Sequence, residues 1–509
     1  MSGYALEPAG NQFAEFRKAV AGMEAWAAGP EAAGLDLAAL EREAEVRGRE
    51  AQRLLLQAHL DARTAREERL AGVTGPDGAA RTRAERGHGR NLATVLGKVR
   101  VRRIAYRSGR RGVPNVHLLD EQLSLPPGKF SAGLCERLAL AAGQMSIKAA
   151  CGQVFRETGV RIGTRQASRI IRAAAADAAS FARGQSGPAP DAGDRPVLVL
   201  EADGTGIKMR PDSLRPAAAR AAAAAVPRQA GRLSQGEVST HKRMAEAGAV
   251  FDWEPVPRTA ADIVPLPGEE HPAQVPAGLP EAGNKYLTAS VASSTGEVIA
   301  AVFGAASRRD PGRERTWIGL VDGNKDQLAH FRAQAAARGV AGLPVLIDFI
   351  HVTGYLRDAA WSFSPKDSPA AGSWVRRHER AILDGHAGTV AAAISDQART
   401  TPGLSASKHK NALRTVRYLE TKLPFMDYPR FLAAGWPIST GVIEGACRYL
   451  IKDRMDITGA RWSTDGAEAI LQLRVITANG HWDAYWAWHQ QQQHRRTYHN
   501  HRNCYQLAA

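Results

Sequence analysis

Three acids, Asp203, Asp322 and Glu444, carry the chemistry that this sequence suggests. Asp203 follows the apolar run Val197-Leu198-Val199-Leu200, and Asp322 follows Trp317-Ile318-Gly319-Leu320-Val321. Glu444 closes the segment Ser439-Thr440-Gly441-Val442-Ile443-Glu444, at the start of a helical stretch. Carboxylates at two strand ends and on one helix can converge although they lie far apart in sequence. Together they can hold two hard divalent cations, Mg²⁺ or Mn²⁺, roughly 3.5–4 Å apart, the arrangement used for in-line phosphoryl transfer. An isolated Asp-Gly is usually a turn, so the joint placement carries the argument.

Other residues compete or assist. Glu201 shares a strand face with Asp203 and is an alternative ligand or a support for one. Asp326 suits the first turn of the helix after Asp322. Asp348 and His351, in Ile347-Asp348-Phe349-Ile350-His351, are read as a bracing pair. After Glu444, Arg448 and Lys452 fall at i+4 and i+8, one face of a regular helix. Arg461 and Trp462 follow, and Trp462 either stacks on an unpaired base or fills the core.

The elements that must position these residues sit in a long, basic chain. At 509 residues two or three domains are expected, and 44% hydrophobic content fits a globular protein. A formal net charge of +16 points to a polyanionic partner, with nucleic acid foremost. Cys135, Cys151, Cys447 and Cys504 form no CxxC pair, so neither a disulfide framework nor a zinc ribbon is expected. The sequence shows no signal peptide or membrane-length apolar run, which leads to the expectation of a cytoplasmic, nucleoid-associated protein without a membrane partner. It has no GxxxxGK[ST] loop, so no nucleotide cofactor is expected.

The fold class expected is α+β multidomain. Residues 1–75 read as a helical region, with amphipathic helices from about Gln12 to Glu68. Residues 81–180 read as a DNA-binding region. There Val95–Tyr106 alternates apolar and basic residues, as a strand with one cationic face would, and Arg100, Arg102 and Arg103 are its candidate phosphate contacts. Ser146–Glu157, a break at Thr158–Gly163, and a helix capped by Thr164 and running through Arg172 suggest a helix-turn-helix. It would present Arg165, Gln166, Ser168 and Arg169 to DNA. Gly184–Pro190 reads as a linker. Residues 195–480 read as the catalytic core, with strands near Ala249–Trp253, Tyr286–Ala292, Val298–Phe303 and Val345–Phe349, and a helical insertion over about 355–435. Arg215–Arg228 looks like an insertion or mobile segment. Residues 481–509, with His481, His489, His494, His499 and His501, read as a basic, partly flexible tail and not as a zinc site.

The motifs Glu201-Ala202-Asp203-Gly204-Thr205, Val321-Asp322-Gly323, Ile347–His351 and Gly441–Arg448 through Thr458–Trp462 resemble the ISKra family of bacterial insertion-sequence transposases, related to the Mutator-like superfamily. The resemblance covers the chain from about Arg81 onward and implies a ribonuclease H-like core with an all-helical insertion. It implies Asp203, Asp322 and Glu444 as catalytic and metal-binding acids, and Asp348 with His351 as an accessory pair. Because Gly323-Asn324-Lys325-Asp326 lacks the tryptophan of close relatives, Asp348 stays open as the second acid. The expected partners are double-stranded DNA, as element ends and as target, and further copies of the chain. Two other readings are a DNA-binding regulator that has lost catalysis and a structure-specific nuclease that cleaves without strand transfer.

Overall fold

The structure, a computed structural model, describes residues 12–110, 112–185, 196–216, 218–220, 242–267, 269, 282–340, 342–457, 459–499 and 506–507. The linker expected after Gln185 and most of the Arg215–Arg228 tract lie outside them. The chain forms two compact units, Met1–Ala178 with Trp482–Ala509, and Ala179–His481.

In the first unit, helix Leu37–Ala65 starts at Asp36, whose carboxylate accepts the Ala39 N–H. Short strand β1 (Val73–Thr74) follows this helix. The strand expected over Val95–Tyr106 is β3 (Gly97–Arg107), and it pairs antiparallel in a hairpin with a preceding strand, β2 (Arg83–Thr94). The long helix covers the outer edge of β3. Gln57 both donates to the Arg100 carbonyl and accepts its N–H, Thr64 donates to the Arg102 carbonyl, and Glu67 accepts the Ile104 N–H. Side chains thus satisfy backbone groups that an open edge strand would leave for another chain.

Helices Ala132–Gln144, Ile147–Thr158 and Thr164–Ala174 follow. Gly159, at φ +69°, ends the second of these in the left-handed conformation that a side chain would resist. Gly163, not Thr164, is the cap of the third, and Thr164 is its first helical residue. The histidine-rich segment is also ordered differently from expectation. Trp482–Tyr498 is a helix with Trp482, Tyr485, Trp486 and His489 buried. Asp177 accepts from His489 Nδ1 at 2.7 Å and from both terminal nitrogens of Arg496, which fixes this helix within the first unit.

The second unit is built on one five-stranded sheet. Its strands are β4 (Val197–Lys208), β5 (Lys242–Trp253), β6 (Gly283–Ser290), β7 (Thr316–Val321) and β8 (Val345–Ile347), in the order β6-β5-β4-β7-β8. β4/β5 and β5/β6 are antiparallel, while β4/β7 and β7/β8 are parallel. Val298–Phe303, expected as a strand, is helical within Thr295–Arg309. Ser294 and Glu297 form a capping box there, and Val298, Ile299, Val302, Phe303, Ala305 and Ala306 are buried at helical spacing. This helix meets Leu198, Leu200 and Ala202 of β4 in the main core. A Cβ on Gly248 of β5 would lie 2.2 Å from Val302, so only glycine permits this approach. After β8, helices Phe349–Phe363, Pro369–Leu383, Ala387–Thr400, Ala406–Lys422 and Tyr428–Ala433 form the insertion.

Candidate active site

Register brings the acids together. Glu201 of β4 pairs with Leu320 of β7, and Leu320 pairs with Leu346 of β8. Two residues farther along each parallel strand stand Asp203, Asp322 and Asp348. Three aspartates therefore occupy one row across three neighbouring strands. Asp322 and Asp348 stand just past the ends of β7 and β8, whereas Asp203, expected at a strand end, lies within β4, which runs on to Lys208. Chain direction changes at β4, and in open sheets with such a change ligands collect outside the carboxyl ends of the parallel strands.

The three are not equivalent. Asp203 is half-buried, and its carboxylate accepts the Gly204 N–H at 2.7 Å. Burial and the charge of Asp322 raise its pKa. Asp322 is also half-buried, and accepts the Asn324 N–H at 2.8 Å. Gly323 follows at φ +91°, with the Tyr418 hydroxyl 3.2 Å from where a Cβ would stand. That hydroxyl donates to the Asp322 carbonyl, linking the insertion to the strand end.

Asp348 is 1% exposed and its carboxylate is fully engaged. It accepts from the Ile350 N–H, from Thr440 Oγ1 at 2.8 Å and from His351 Nδ1 at 2.9 Å. It caps helix Phe349–Phe363, so β8 ends at Ile347 and not at Phe349. The Asp348 hydrogen bond raises the pKa of His351.

Glu201 has a different task. It is 0% exposed, and its Oε2 accepts the Ile443 N–H at 2.8 Å. Helix Gly441–Ala446 begins at Thr440 with no side-chain cap of its own, so Glu201 satisfies one of its unpaired first-turn donors. That contact fixes the turn carrying Glu444 against β4. Burial pushes the Glu201 carboxyl well above the usual glutamate range, and the neighbouring Asp348 and Asp203 push it the same way. Its Oε1 has no hydrogen-bond partner. A fully buried carboxyl that accepts an N–H is a support, whereas a metal ligand must be reachable.

Glu444 is exposed, one residue past the Glu201 anchor. Three residues on, Cys447 is 2% exposed and its thiol donates to Asp203. The helix is therefore tied to the sheet on both sides of Glu444. From Cys447 to Lys452 the backbone is a π-helix, whose i→i+5 bonds widen the turn. Arg448 and Lys452 are exposed, as Glu444 is, on a stretch whose turn is wider than that of the regular helix expected for them. Arg461 is exposed. Trp462 is not free to stack on a base: it is buried, its indole N–H donates to the Met455 carbonyl, and Arg454 covers its ring at 5.0 Å.

Among the described residues, Asp203, Asp322 and Glu444 do not form a trio of ligand atoms all within 4.8 Å of one another; Glu121, His494 and His499 do. A single compact ion cage is thus absent from the acid row. A pair of ions about 3.5–4 Å apart calls for a wider set of carboxylates. The all-oxygen donor set fits hard cations that keep part of their water shell.

The candidate DNA contacts divide. Arg165 and Arg169 are exposed on helix Thr164–Ala174, and Gln166 and Ser168 are half-buried, with Ser168 Oγ spent on the Thr164 carbonyl. Arg172, three residues beyond Arg169, extends the cationic face. Arg100 and Arg102 are exposed, with Arg102 3.5 Å from Asp61. Arg103 is buried and pairs with Asp120 at 2.6 Å, which removes it from the surface. Alternation failed there because residues from Arg103 to Tyr106 are all buried, on both faces of β3.

Two features went unseen in the sequence. Glu246 of β5, opposite Gly204, is buried near the acid row, where burial raises its pKa. Its carboxylate would lie 2.8 Å from a Cβ at position 204, so a side chain there would displace Glu246. In the insertion, a groove of about 590 Å³ is lined by Trp361, Lys408, His409, Lys410, Arg414 and Arg417. The run Lys408-His409-Lys410 was the available signal.

No protein-family model matches the chain, and no curated protein matches it.

Proposed function

We propose that this chain is a DNA transposase of an insertion sequence, with a ribonuclease H-like core and a likeness to the ISKra family. The observation that carries the reading is the row of Asp203, Asp322 and Asp348 across β4, β7 and β8, with the Glu444 helix anchored beside it by Glu201. The strand order β6-β5-β4-β7-β8, antiparallel on one side of β4 and parallel on the other, is the arrangement such a core requires. The excess of cations supports a DNA substrate.

Asp203, Asp322 and Glu444 are the acids that would hold Mg²⁺ or Mn²⁺. When bound, the ions neutralise charge on the entering and leaving oxygens of in-line phosphoryl transfer. Asp348 is read as the floor of the site: its oxygens accept from Ile350, Thr440 and His351, which favours Asp322 as the second acid. Water attacks the phosphodiester at the element end and displaces its 3′-oxygen as a hydroxyl. That 3′-hydroxyl then attacks a target phosphodiester, displacing the target strand's own 3′-hydroxyl as the new P–O bond forms. No covalent protein intermediate is required. Arg165 and Arg169 of the first unit would contact the element ends, and the enzyme would act as an oligomer.

The test is incubation of the full chain with labelled DNA flanking its own gene, with and without Mg²⁺ or Mn²⁺. Metal-dependent nicking at a defined end, lost in Asp203→Ala, Asp322→Ala and Glu444→Ala, is expected. Loss in Asp348→Asn with Asp322→Ala still active would move the second acid to Asp348. Specific binding without cleavage under either metal would favour a regulator.

A further inference from the structure

The histidine-rich C-terminal helix brings together a set of ligands that the acid row does not use. His494 lies in helix Trp482–Tyr498 and His499 just beyond its end, while Glu121 lies in helix Leu118–Gln122. One ligand atom from each falls within 4.8 Å of the other two. His499 Nε2 already stands 3.0 Å from Glu121 Oε1. Ser124 Oγ lies 3.0 Å from His494 Nδ1 and orients that ring, as an outer hydroxyl or carboxylate does for metal-binding imidazoles. Ser124 itself is held at φ +47°, in the left-handed region that non-glycine residues seldom adopt. Its N–H donates to the Glu121 carbonyl at 2.8 Å, so the turn that ends the short helix also aims Ser124 at His494. The Tyr498 hydroxyl donates to the Leu125 carbonyl, fixing the end of the long helix beside the same turn.

We propose that Glu121, His494 and His499 form a binding site for a borderline-soft divalent metal of the zinc class, separate from the acids of the second unit. Two imidazoles and one carboxylate are a zinc-type donor set, with water in the fourth position. Mg²⁺ prefers an all-oxygen shell and is a poor match. Tetrahedral binding at about 2.0–2.2 Å sets donor atoms roughly 3.3–3.6 Å apart, so the His499–Glu121 pair, 3.0 Å apart, would open slightly and the wider separations, up to 4.8 Å, would close, with the exposed His499 free to rotate. The ion would clamp the end of the C-terminal helix to helix Leu118–Gln122. The spacing of the histidines hides the site, because its carboxylate comes from a distant part of the chain. This inference does not depend on the transposase reading.

The test uses the full chain, stripped with chelator and then dialysed against Zn²⁺ in a large excess of Mg²⁺, so that hard-cation sites are filled. The readouts are zinc retained per chain and the rate at which protease removes the C-terminal helix. Wild type is expected to retain one zinc and to gain protection on zinc binding. The double variant His494→Ala/His499→Ala should retain none and gain no protection, with a melting curve in chelator matching wild type. Glu121→Gln provides an independent check and should weaken zinc retention at least tenfold. The inference is overturned if wild type retains no zinc, or if the double variant retains as much as wild type.

Discussion

Glu201 separates two accounts of the acid cluster, and its replacement by Ala and by Gln distinguishes them. Alanine removes the acceptor of the buried Ile443 N–H. Leaving such a donor unsatisfied costs about 1–3 kcal/mol, and losing one buried methylene adds about 0.8 kcal/mol. Relief of the unpartnered Oε1 offsets part of this, so Glu201→Ala should destabilise the protein by about 1–3 kcal/mol. The Glu444 turn loses its anchor, and end nicking should fall at least tenfold. Glutamine keeps both the volume and the accepting oxygen, so below about pH 4.3 Glu201→Gln should stay within about 1 kcal/mol of wild type in stability, and it should remain active. The raised pKa adds a pH signature in chelator. Below the unfolded pKa of about 4.3 both states of wild type are protonated, and no ionic penalty exists. As pH rises above it the unfolded state releases its proton first, so wild type loses up to about 1.4 kcal/mol per pH unit against Glu201→Gln until the folded carboxyl ionises. Urea unfolding at several pH values and end-nicking rates measure both effects. If the glutamine variant is as inactive as the alanine variant while remaining folded, the negative charge itself is required, and Glu201 is a ligand and not a support.

Three further outcomes follow from the same geometry. Arg103→Ala should destabilise the first unit by about 1–3 kcal/mol, because it leaves the buried Asp120 with Arg90, at 3.6 Å, in place of its close partner; thermal unfolding checks this, and an unchanged melting curve would return Arg103 to the DNA contacts. Arg165→Ala and Arg169→Ala should each weaken DNA binding across sequences and reduce the slope of log K against log salt by about 0.9, measured by titration at several salt concentrations. For His351, the raised folded pKa means its bond to Asp348 stabilises most below the ordinary histidine pKa and is lost as pH rises through the folded value. The stability deficit of His351→Gln should therefore shrink between mildly acidic and alkaline pH, and a deficit that grows with pH would reverse the assignment.

The acids on strands were legible because Val197–Leu200 and Trp317–Val321 are continuous apolar runs, as strands buried on both faces must be. β2 was not legible: Arg83–Thr94 carries arginines, histidine and glycines with little alternation, and its pairing with β3 supplies what propensity lacks. Val298–Phe303 is a short apolar run of the kind that fits either element, and Ser294 with Glu297 was the overlooked helix-start signal. Asp348 was placed on a strand because Val345–Phe349 is apolar around it, yet its carboxylate ends the strand by capping the next helix. The Glu201 bond to Ile443 and the meeting of Glu121 with His494 and His499 join distant segments. Local periodicity has no access to such contacts.

Strand transfer tests the central claim most directly. A labelled duplex of the element end with an exposed 3′-hydroxyl is incubated with supercoiled plasmid, the full chain and Mg²⁺. The account predicts covalent joining of label to plasmid, abolished by chelator and by Asp203→Ala, Asp322→Ala or Glu444→Ala. Binding of the duplex without joining by wild type, or joining that survives loss of all three acids, would contradict it.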